Sequence, residues 1–402
     1  MVEQVSSLKT GVKYKDTPIG KVPVDWEVTS LGKTTYLEYG ISLPAKKRIK
    51  GNVPVYGSSG IVGNHNEAFV DGPGIIIGRK GTVGSVSWVN THFCPIDTTY
   101  YISKKQSRKH LKWLFYLLLN LHLERLNITT GVPRLNREEA HSVVVPIPPL
   151  LEQKKIAKIL TTVDEAIEKT TQIIEKAKEL KKGLMQRLLS RGIGHKKFKK
   201  TEIGEIPEEW KIVRLKDITH KFYNGGTPDT KNDSYWNGNI PWITGADLEN
   251  QKVNQIRKYI THDGVENSAT NIIPEGDLLI VTRTGVGKLA VAPYNIAISQ
   301  DITGTILDSA RASAKYIYWY LDYKASHLKS IVQGISINGL LRGDLEFLRI
   351  LLPPIEEQKR IVVILDSVDN KIEKESNHKE QLELLKKGLM HVLLTGKLRV
   401  SI

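Results

Sequence analysis

The sequence predicts an α+β fold built twice over. Two globular domains are joined by two long repeated helices that form an antiparallel coiled coil, the halves being related by a pseudo-twofold internal repeat. Three observations predict it. The stretch from Pro148 to Leu189 returns 205 positions later, from Pro353 to Leu394, with 22 identities over 42 positions. A second stretch, Tyr14 to Leu31, returns at an offset of 184 as Phe198 to Leu215. Between them lie segments with the alternation and turns of strands, each followed by an apolar helical run. The implied boundaries are a first domain over 1–147, a central helix over 148–192, a linker and second domain over 193–352, and a C-terminal helix over 353–402.

The lead-in Tyr14-Lys15-Asp16-Thr17-Pro18-Ile19-Gly20, with Pro23, Trp26 and Leu31, shares its spacing with Phe198-Lys199-Lys200-Thr201-Glu202-Ile203-Gly204 followed by Pro207, Trp210 and Leu215. The first middle domain then runs through Val53 to Gly57, strand-like Gly74 to Gly78, Arg79-Lys80-Gly81, and Val83 to Val89. Its counterpart runs through Ile240 to Ile243, Leu278 to Val281, Arg283-Thr284-Gly285, and Leu289 to Val291. A helical stretch follows in each, around Trp113 or Trp319, and then a glycine loop, Thr130 to Asn136 or Gln333 to Asn338. Asn136 with Glu139 has the form of a capping box. This is the order of a mostly antiparallel sheet with helices to one side. The ends match, whereas the second middle is 21 residues longer, so the pattern is a fixed frame holding two interchangeable readers.

Each long helix starts after a Pro-Pro pair, which disfavours helix on its N-terminal side. Glu152 and Glu356-Glu357 fall in the first turn, where the helix dipole favours them. Apolar residues then step by four and three: Ile156, Leu160, Val163 and Ile167, against Ile361, Leu365, Val368 and Ile372, resuming at Leu382, Leu385, Leu389 and Val392. Such a heptad seam wants a partner helix, and each copy is the obvious partner for the other. An amphipathic helix lying on a globular core is the competing reading. Gly183 and Gly388 sit at matching places, each costing roughly 1 kcal/mol against alanine. Their recurrence points to a close backbone approach, a bend or an early helix end.

At 402 residues the chain is long enough for two or three domains with cores of their own. The longest apolar run, Leu111 to Leu123, is interrupted by Lys112, Asn120 and His122, so no membrane span is expected. Met1-Val2-Glu3-Gln4 does not open a secretory signal, and the single cysteine, Cys94, forms no internal disulfide. A cytoplasmic protein with a small buried thiol is the expectation. The formal net charge of +15 is unevenly divided, with +8 on residues 1–147 and −1 on residues 205–352. An excess of this size points to a polyanion, nucleic acid first. The stretch His195-Lys196-Lys197-Phe198-Lys199-Lys200 reads equally as a solvated linker or a phosphate-contacting arm.

Signatures of catalysis are missing from the sequence. It has no His-Glu-x-x-His, paired Cys-x-x-Cys or Gly-x-Ser-x-Gly, and no metal site is expected. Thr282-Arg283-Thr284-Gly285-Val286-Gly287-Lys288-Leu289 lacks the first glycine of a phosphate loop and has Leu289 where a Mg²⁺-binding hydroxyl is required. The Pro-Pro pairs lie between Ile147 and Leu150 and between Leu352 and Ile355, without the Asn or Asp and the aromatic that flank an amino-methyltransferase site. No enzyme is expected from this chain.

Several features occur together: the doubled Pro-Pro-x-x-Glu-Gln-Lys-(Lys/Arg)-Ile, the doubled Leu-Lys-Lys-Gly-Leu-Met, Leu394-Thr395-Gly396-Lys397, and the lead-in Ile-Gly-x-x-Pro-x-x-Trp. To these are added Gly225-Gly226-Thr227-Pro228, Tyr235-Trp236 and Ile240-Pro241-Trp242. With them the chain resembles, over essentially its whole length, the specificity subunit of type I restriction-modification systems. The resemblance implies two target-recognition domains, each reading one half of a bipartite, asymmetric sequence in double-stranded DNA. It implies that the repeated helices set the spacer and dock two methyltransferase subunits, with restriction and translocation subunits as a further addition. It places no cofactor in this chain: S-adenosylmethionine, Mg²⁺ and ATP are expected on the partner subunits. Physical dimensions agree, since a forty-residue helix spans roughly 60 Å and major-groove faces recur every ~34–36 Å.

For base contacts the first candidates are Arg79 and Lys80, and Arg283 and Lys288, long cations at strand ends beside glycines. Arg134 and Arg342 come next. Lys46, Lys47, Arg48 and Lys50 have the look of backbone contacts. Thr227 and Lys231, with Tyr235 and Trp236, mark a recognition loop, Trp236 fitting a core equally well. The competing reading for any one of these cations is a solvated side chain. The seam residues from Ile156 to Ile167 and from Ile361 to Ile372 are the candidates for helix pairing and partner docking. Rival functions are a silent or donor copy without a working enzyme partner, a freestanding methyltransferase (opposed by the missing motif), and a coiled-coil adaptor with no DNA role. Measured separately, the first domain is expected to lose DNA affinity more steeply with salt than the second. Equal slopes would mean that local patches, and not domain totals, decide.

Overall fold

In the computed structural model, residues 12–126, 133–249, 252–324 and 342–400 are described. The chain divides into two units, Met1–Gln172 with Ser376–Ile402, and Ile173–Glu375. Each long helix therefore gives one half to each unit. Of the closing glycine loops, Thr130-Gly131-Val132 and Gln333 to Asn338 lie outside the described residues.

In the first unit the lead-in is a hairpin, Tyr14–Thr17 against Gly20–Pro23, which delivers Trp26 to the core. Strand Glu27–Ser30 then pairs antiparallel with Val144–Ile147, the strand immediately before Pro148-Pro149. The reader thus enters and leaves through adjacent strands. Its main sheet is antiparallel, in the order Glu38–Tyr39, Thr99–Ser103, Gly74–Gly78, Val86–Val89. The two central strands are buried along their whole length because both faces are covered. Ile75, Ile77 and Ile102 pack with helix Leu111–Asn120 through Trp113, Leu114 and Leu118. Ile76 and Tyr101 pack with Val70, Val89 and Phe93 on the other face. A companion sheet runs Gly60–His65, Val53–Gly57, Cys94–Pro95, its last joint parallel. Cys94 is buried, its thiol donates to the Glu67 carbonyl, and burial pushes its pKa up, so it is a packing residue.

The second unit repeats the plan. Hairpin Phe198–Thr201 and Gly204–Pro207 delivers Trp210, and Lys211–Arg214 pairs with Arg349–Leu352. The main sheet runs Thr219–Asn224, Ile302–Leu307, Leu278–Val281, Leu289–Val291, under helix Ala314–Tyr323. The companion sheet has four strands, Lys258–Ile260, Trp236–Ile243, Ile296–Ile298 and Asn271–Ile273, again with one parallel joint. The second reader's additional length is taken up ahead of Leu278, where the hairpin Leu248–Glu249 with Lys252–Val253 and the short helix His262–Glu266 have no counterpart in the first. Two strand bounds differ from the sequence reading. Val86–Val89 begins three residues late, after a turn over 81–85, and Trp236–Ile243 begins four residues early. Asn136 caps Arg137–Ser142 by accepting from the N–H of Glu138.

The long helices are Leu150–Arg191, of 42 residues, and Ile355–Leu394, of 40. They pair antiparallel: Lys386 Nζ lies 2.7 Å from Asp164 in the first unit, and Lys181 Nζ lies 2.6 Å from Asp369 in the second. Each lysine also covers an aromatic ring of its reader's helix, Tyr116 or Trp319. Tyr116 donates to Asp164, and Trp319 donates to Asp366. Ile156 and Leu160 are fully buried in the first unit's core with Leu393 and Leu394, and Ile361 and Leu365 in the second's with Leu188 and Leu189. Val163 is buried, while Ile167, Val368 and Ile372 are half-buried. Both sequence readings therefore hold, since the helix ends lie on reader cores and the pairing continues between them. The later seam differs from expectation. Leu385 is exposed, and the inward positions are Leu382, Lys386, Leu389 and Leu393, because Lys386 reaches Asp164 with its stem along the interface.

The Glu-Gln of each Pro-Pro motif has a role that the helix dipole does not describe. Glu152 is wholly buried; it accepts from Trp26 Nε1 at 3.0 Å and from Arg399 at 2.6 and 2.8 Å. Arg399 forks onward to Asp25 at 2.8 Å through two bonds. Burial would lower the Arg399 pKa, but bonding to Glu152 and Asp25 outweighs it and holds the pKa above its ordinary value. Glu357 repeats the arrangement, accepting from Trp210 Nε1 at 2.9 Å and lying 2.9 Å from His195 Nε2. The group that meets the carboxylate stands three residues beyond a left-handed glycine in both, Gly396 (φ 74°) before the Arg399 guanidinium and Gly192 (φ 66°) before the His195 imidazole. Gln153 donates to the Pro148 carbonyl and accepts from the His110 N–H, and Gln358 does the same with Pro353 and Ser313. His110 and Ser313 are the N-caps of the reader helices, so each glutamine ties reader to frame. Glu152→Ala strands Arg399 in the core and is expected to lower stability by about 3–5 kcal/mol. The exposed Glu356→Ala is expected to stay within about 0.5 kcal/mol of wild type, both read by denaturant unfolding.

Candidate nucleic-acid interface

Three loops meet at the same end of each reader's main sheet. In the first they follow Glu38–Tyr39, follow Gly74–Gly78 and precede Thr99–Ser103. The N–H groups of Arg79 and Lys80 both donate to the Thr98 carbonyl, at 2.9 and 3.1 Å. In the second reader Thr282 and Arg283 use the Asp301 carbonyl in the same way. Glycine is required beside each: a Cβ on Gly40 would run into the Ile96 carbonyl, and one on Gly225 into that of Ser299. This close approach fixes the loops that carry the cations.

In the first reader these loops gather aromatic rings and guanidinium groups. The Arg79 guanidinium lies 4.8 Å from the Tyr39 ring and 5.9 Å from that of Tyr100, with Nη1 donating to the Asp97 carbonyl. Lys80 bridges to Arg134, which is exposed. Burial, then the neighbouring Tyr39 hydroxyl, pushes the Tyr100 phenol up to about 12, against the pull of Arg79 and Arg134. Arg137 completes the group, its guanidinium 4.9 Å from Tyr36 and 4.8 Å from Tyr39, rings that are 42% and 37% exposed. Stacking on two rings limits the rotamers of Arg137 and leaves its planar fork suited to a guanine edge or a phosphate.

The sequence candidates separate into groups. Arg79, Lys80 and Arg134 come together at this end of the first sheet, as Thr227 and Arg283 do in the second through Gln300 and Asp301. Lys46 and Lys47 are exposed on a short turn, whereas Arg48 is occupied, bonding to the Leu43 and Val62 carbonyls. Lys288 is likewise held, its Nζ donating to the carbonyls of Gly245 and Leu248. Lys231 is exposed on a loop steadied by Trp236, whose Nε1 donates to the Asp229 carbonyl. Arg342 opens helix Arg342–Glu346, bonds to Glu346 and lies 5.9 Å from the Phe222 ring. Arg137 was missed, although the 205 offset carries Arg342 directly onto it. Tyr36 and Tyr39 carried no comparable sequence signal. Among the described residues no group of His, Cys, Asp or Glu could hold a metal ion, and no helix is long and apolar enough to cross a membrane.

Arg137→Ala is expected to weaken binding of DNA that carries the target by about 1–3 kcal/mol with little change in melting temperature. Arg48→Ala is expected to do the reverse, because it releases two loop carbonyls. Titration beside thermal melts separates the two.

Comparison with known proteins agrees with this geometry. The model of the type I restriction modification DNA specificity domain matches residues 23–179 and again 207–384, in each case a reader with its long helix. The chain is 29% identical over 427 aligned positions, 95% of each protein, to the type I restriction enzyme MjaVIII specificity subunit of Methanocaldococcus jannaschii. Its fold is similar to the type I restriction-modification S subunit of M. genitalium, with a TM-score of 0.68 at 13% identity, covering 96% of this chain and 97% of that one. It is also similar to a chain from a structure of complex assembly in the type I R-M system, with a TM-score of 0.55 at 18% identity over 94% and 99%. With both readers and both helices matched, the chain belongs to the type I restriction modification DNA specificity domain family and carries that domain twice.

Proposed function

We propose that this chain is the DNA-recognition subunit of a type I restriction-modification complex. Each reader takes one half of a bipartite, asymmetric target, and the paired helices set the spacer and dock two methyltransferase subunits, to which restriction subunits add. The observation that carries this reading is the duplication itself: one frame, closed twice by a buried Trp-Glu pair that meets Arg399 in one copy and His195 in the other, presents two divergent loop sets at equivalent sheet ends. Different loops on similar frames suit different sequences. The chain's own part is to bind and orient DNA. The methyl donor, S-adenosylmethionine, and the Mg²⁺ and ATP of translocation would be held by partner subunits.

Base-resolution methylation mapping of the host, with the gene intact and deleted, tests the reading. One bipartite, asymmetric motif is expected to vanish on deletion; an unchanged methylome would overturn it. A seven-residue insertion in both helices, after Gln172 and after Glu375, keeps the heptad register. It adds ~10 Å at 1.5 Å per residue. The methylated motif is then expected to keep both half-sites and lengthen its spacer by about three base pairs at 3.4 Å each.

A further inference from the structure

Four residues on from Arg137 and from Arg342 the two readers differ. In the second, Glu346 grips its arginine directly, with Arg342 Nε donating to Oε1 at 2.7 Å. The 205 offset puts His141 at that position in the first. His141 reaches what its arginine rests on. Its Nε2 accepts from the N–H of Leu37 at 3.1 Å, and its ring lies 5.3 Å from that of Tyr36, tilted by 47°. Tyr36 is one of the two rings that carry the Arg137 guanidinium. Leu37 is fully buried, so its N–H needs an acceptor. The imidazole is also confined from behind, since a Cβ on Gly32 would come within 2.9 Å of the His141 Cβ.

We propose that His141 is a positioning residue of the first reader: by accepting from Leu37 and bracing Tyr36 it aims Arg137 at that reader's half-site, and only its neutral form does so. This rests on the DNA-recognition role proposed above and gives that site a proton-sensitive support. An imidazole accepts only at a nitrogen that carries no hydrogen. Protonation sets N–H against N–H, and the Tyr36–Leu37 backbone moves off with the ring on which Arg137 is stacked. Burial holds the His141 pKa below its ordinary value, with help from Arg137 and against the pull of Glu138, which also pairs with Arg137. Both charges lie on its own helix. From the elements packed against it the imidazole meets Gly32, the Tyr36 ring and the Leu37 N–H, while Lys33, Glu124 and Arg125 of those elements are exposed. With a depressed pKa the support is complete above about 6.5 and is lost as the pH falls through the lower value of the folded state. The second reader has a carboxylate, Glu346, in place of the imidazole, so the sensitivity belongs to one half-site.

The test uses the full chain assembled with the methyltransferase subunit of its own system. It is titrated with a duplex carrying the mapped motif and with duplexes in which one half-site is scrambled, at pH 7.5 and pH 5.5. Arg137→Ala shows which half-site belongs to the first reader. Wild type is expected to lose preference for that half-site by about fivefold or more at the lower pH and to keep its preference for the other. His141→Phe keeps a ring against Tyr36 but accepts nothing, and is expected to lose about tenfold at both pH values. Added to Arg137→Ala it is expected to cost nothing further, because the two act on one contact. His141→Gln puts an uncharged oxygen where Nε2 stood, and is expected to restore the preference and abolish its pH step. A pH step that survives His141→Gln overturns the proposal. So does a His141→Phe loss that is spread over both half-sites or adds to that of Arg137→Ala, and so does an Arg137→Ala complex with both preferences intact. If His141→Phe lowers the melting temperature too far for titration, the pH profile of His141→Gln decides. A wild-type complex that prefers neither half-site to its scrambled form overturns the DNA-recognition reading itself.

Discussion

A buried carboxylate needs full compensation, and Glu152 and Glu357 find it by drawing three separate segments together. The indole N–H of Trp26 or Trp210 comes from the lead-in hairpin, the carboxylate from the first turn of one long helix, and the Arg399 guanidinium or His195 imidazole from the tail of the other. Each copy of the repeat is thus completed by the other. The left-handed glycines show how tightly: a side chain on Gly192 would meet Glu357 and Trp210, and one on Gly396 would meet Pro23 and Trp26. The rest of the architecture hangs on these two clusters, which fix where each helix starts relative to the hairpin ahead of its reader.

The frame is conservative and the readers are not. Gln153 and Gln358 hold the reader helices by their N-caps with the same hydrogen bonds, yet the surroundings of the side chains at the sheet ends differ. In the first reader an arginine is stacked between two exposed tyrosines. In the second its counterpart, Arg342, lies beside Phe222 and pairs with Glu346. Each arginine also pairs with a nearby carboxylate, so what differs is the ring set beside it, two tyrosines in one reader and a phenylalanine in the other, a physical basis for reading unlike half-sites.

Much of this was legible in the sequence, for reasons that also mark where legibility ends. The Pro-Pro pairs place the helix starts correctly because proline acts through its own backbone. Strands such as Gly74–Gly78 are legible because burial on both faces leaves an unbroken apolar run. The later seam was misread at Leu385, since Lys386 occupies the inward position and its charge finds a partner only in the folded pair. Glu152 reads as a dipole residue because its true partners, Trp26 and Arg399, are 126 and 247 positions away. Among the cations, sequence cannot separate Arg137, which stacks on tyrosines, from Arg48 and Lys288, whose charges are taken up by carbonyls of their own domains.

The antiparallel pairing of Glu27–Ser30 with Val144–Ile147, and of Lys211–Arg214 with Arg349–Leu352, makes each reader the loop of a two-stranded hairpin. The loops hold 113 and 134 residues. Closing the longer one costs only ~0.15 kcal/mol more, because closure entropy grows with the logarithm of length. A cassette of almost any size can therefore replace another without disturbing the register of either helix. Exchange of a whole reader at this joint would leave both helices in register.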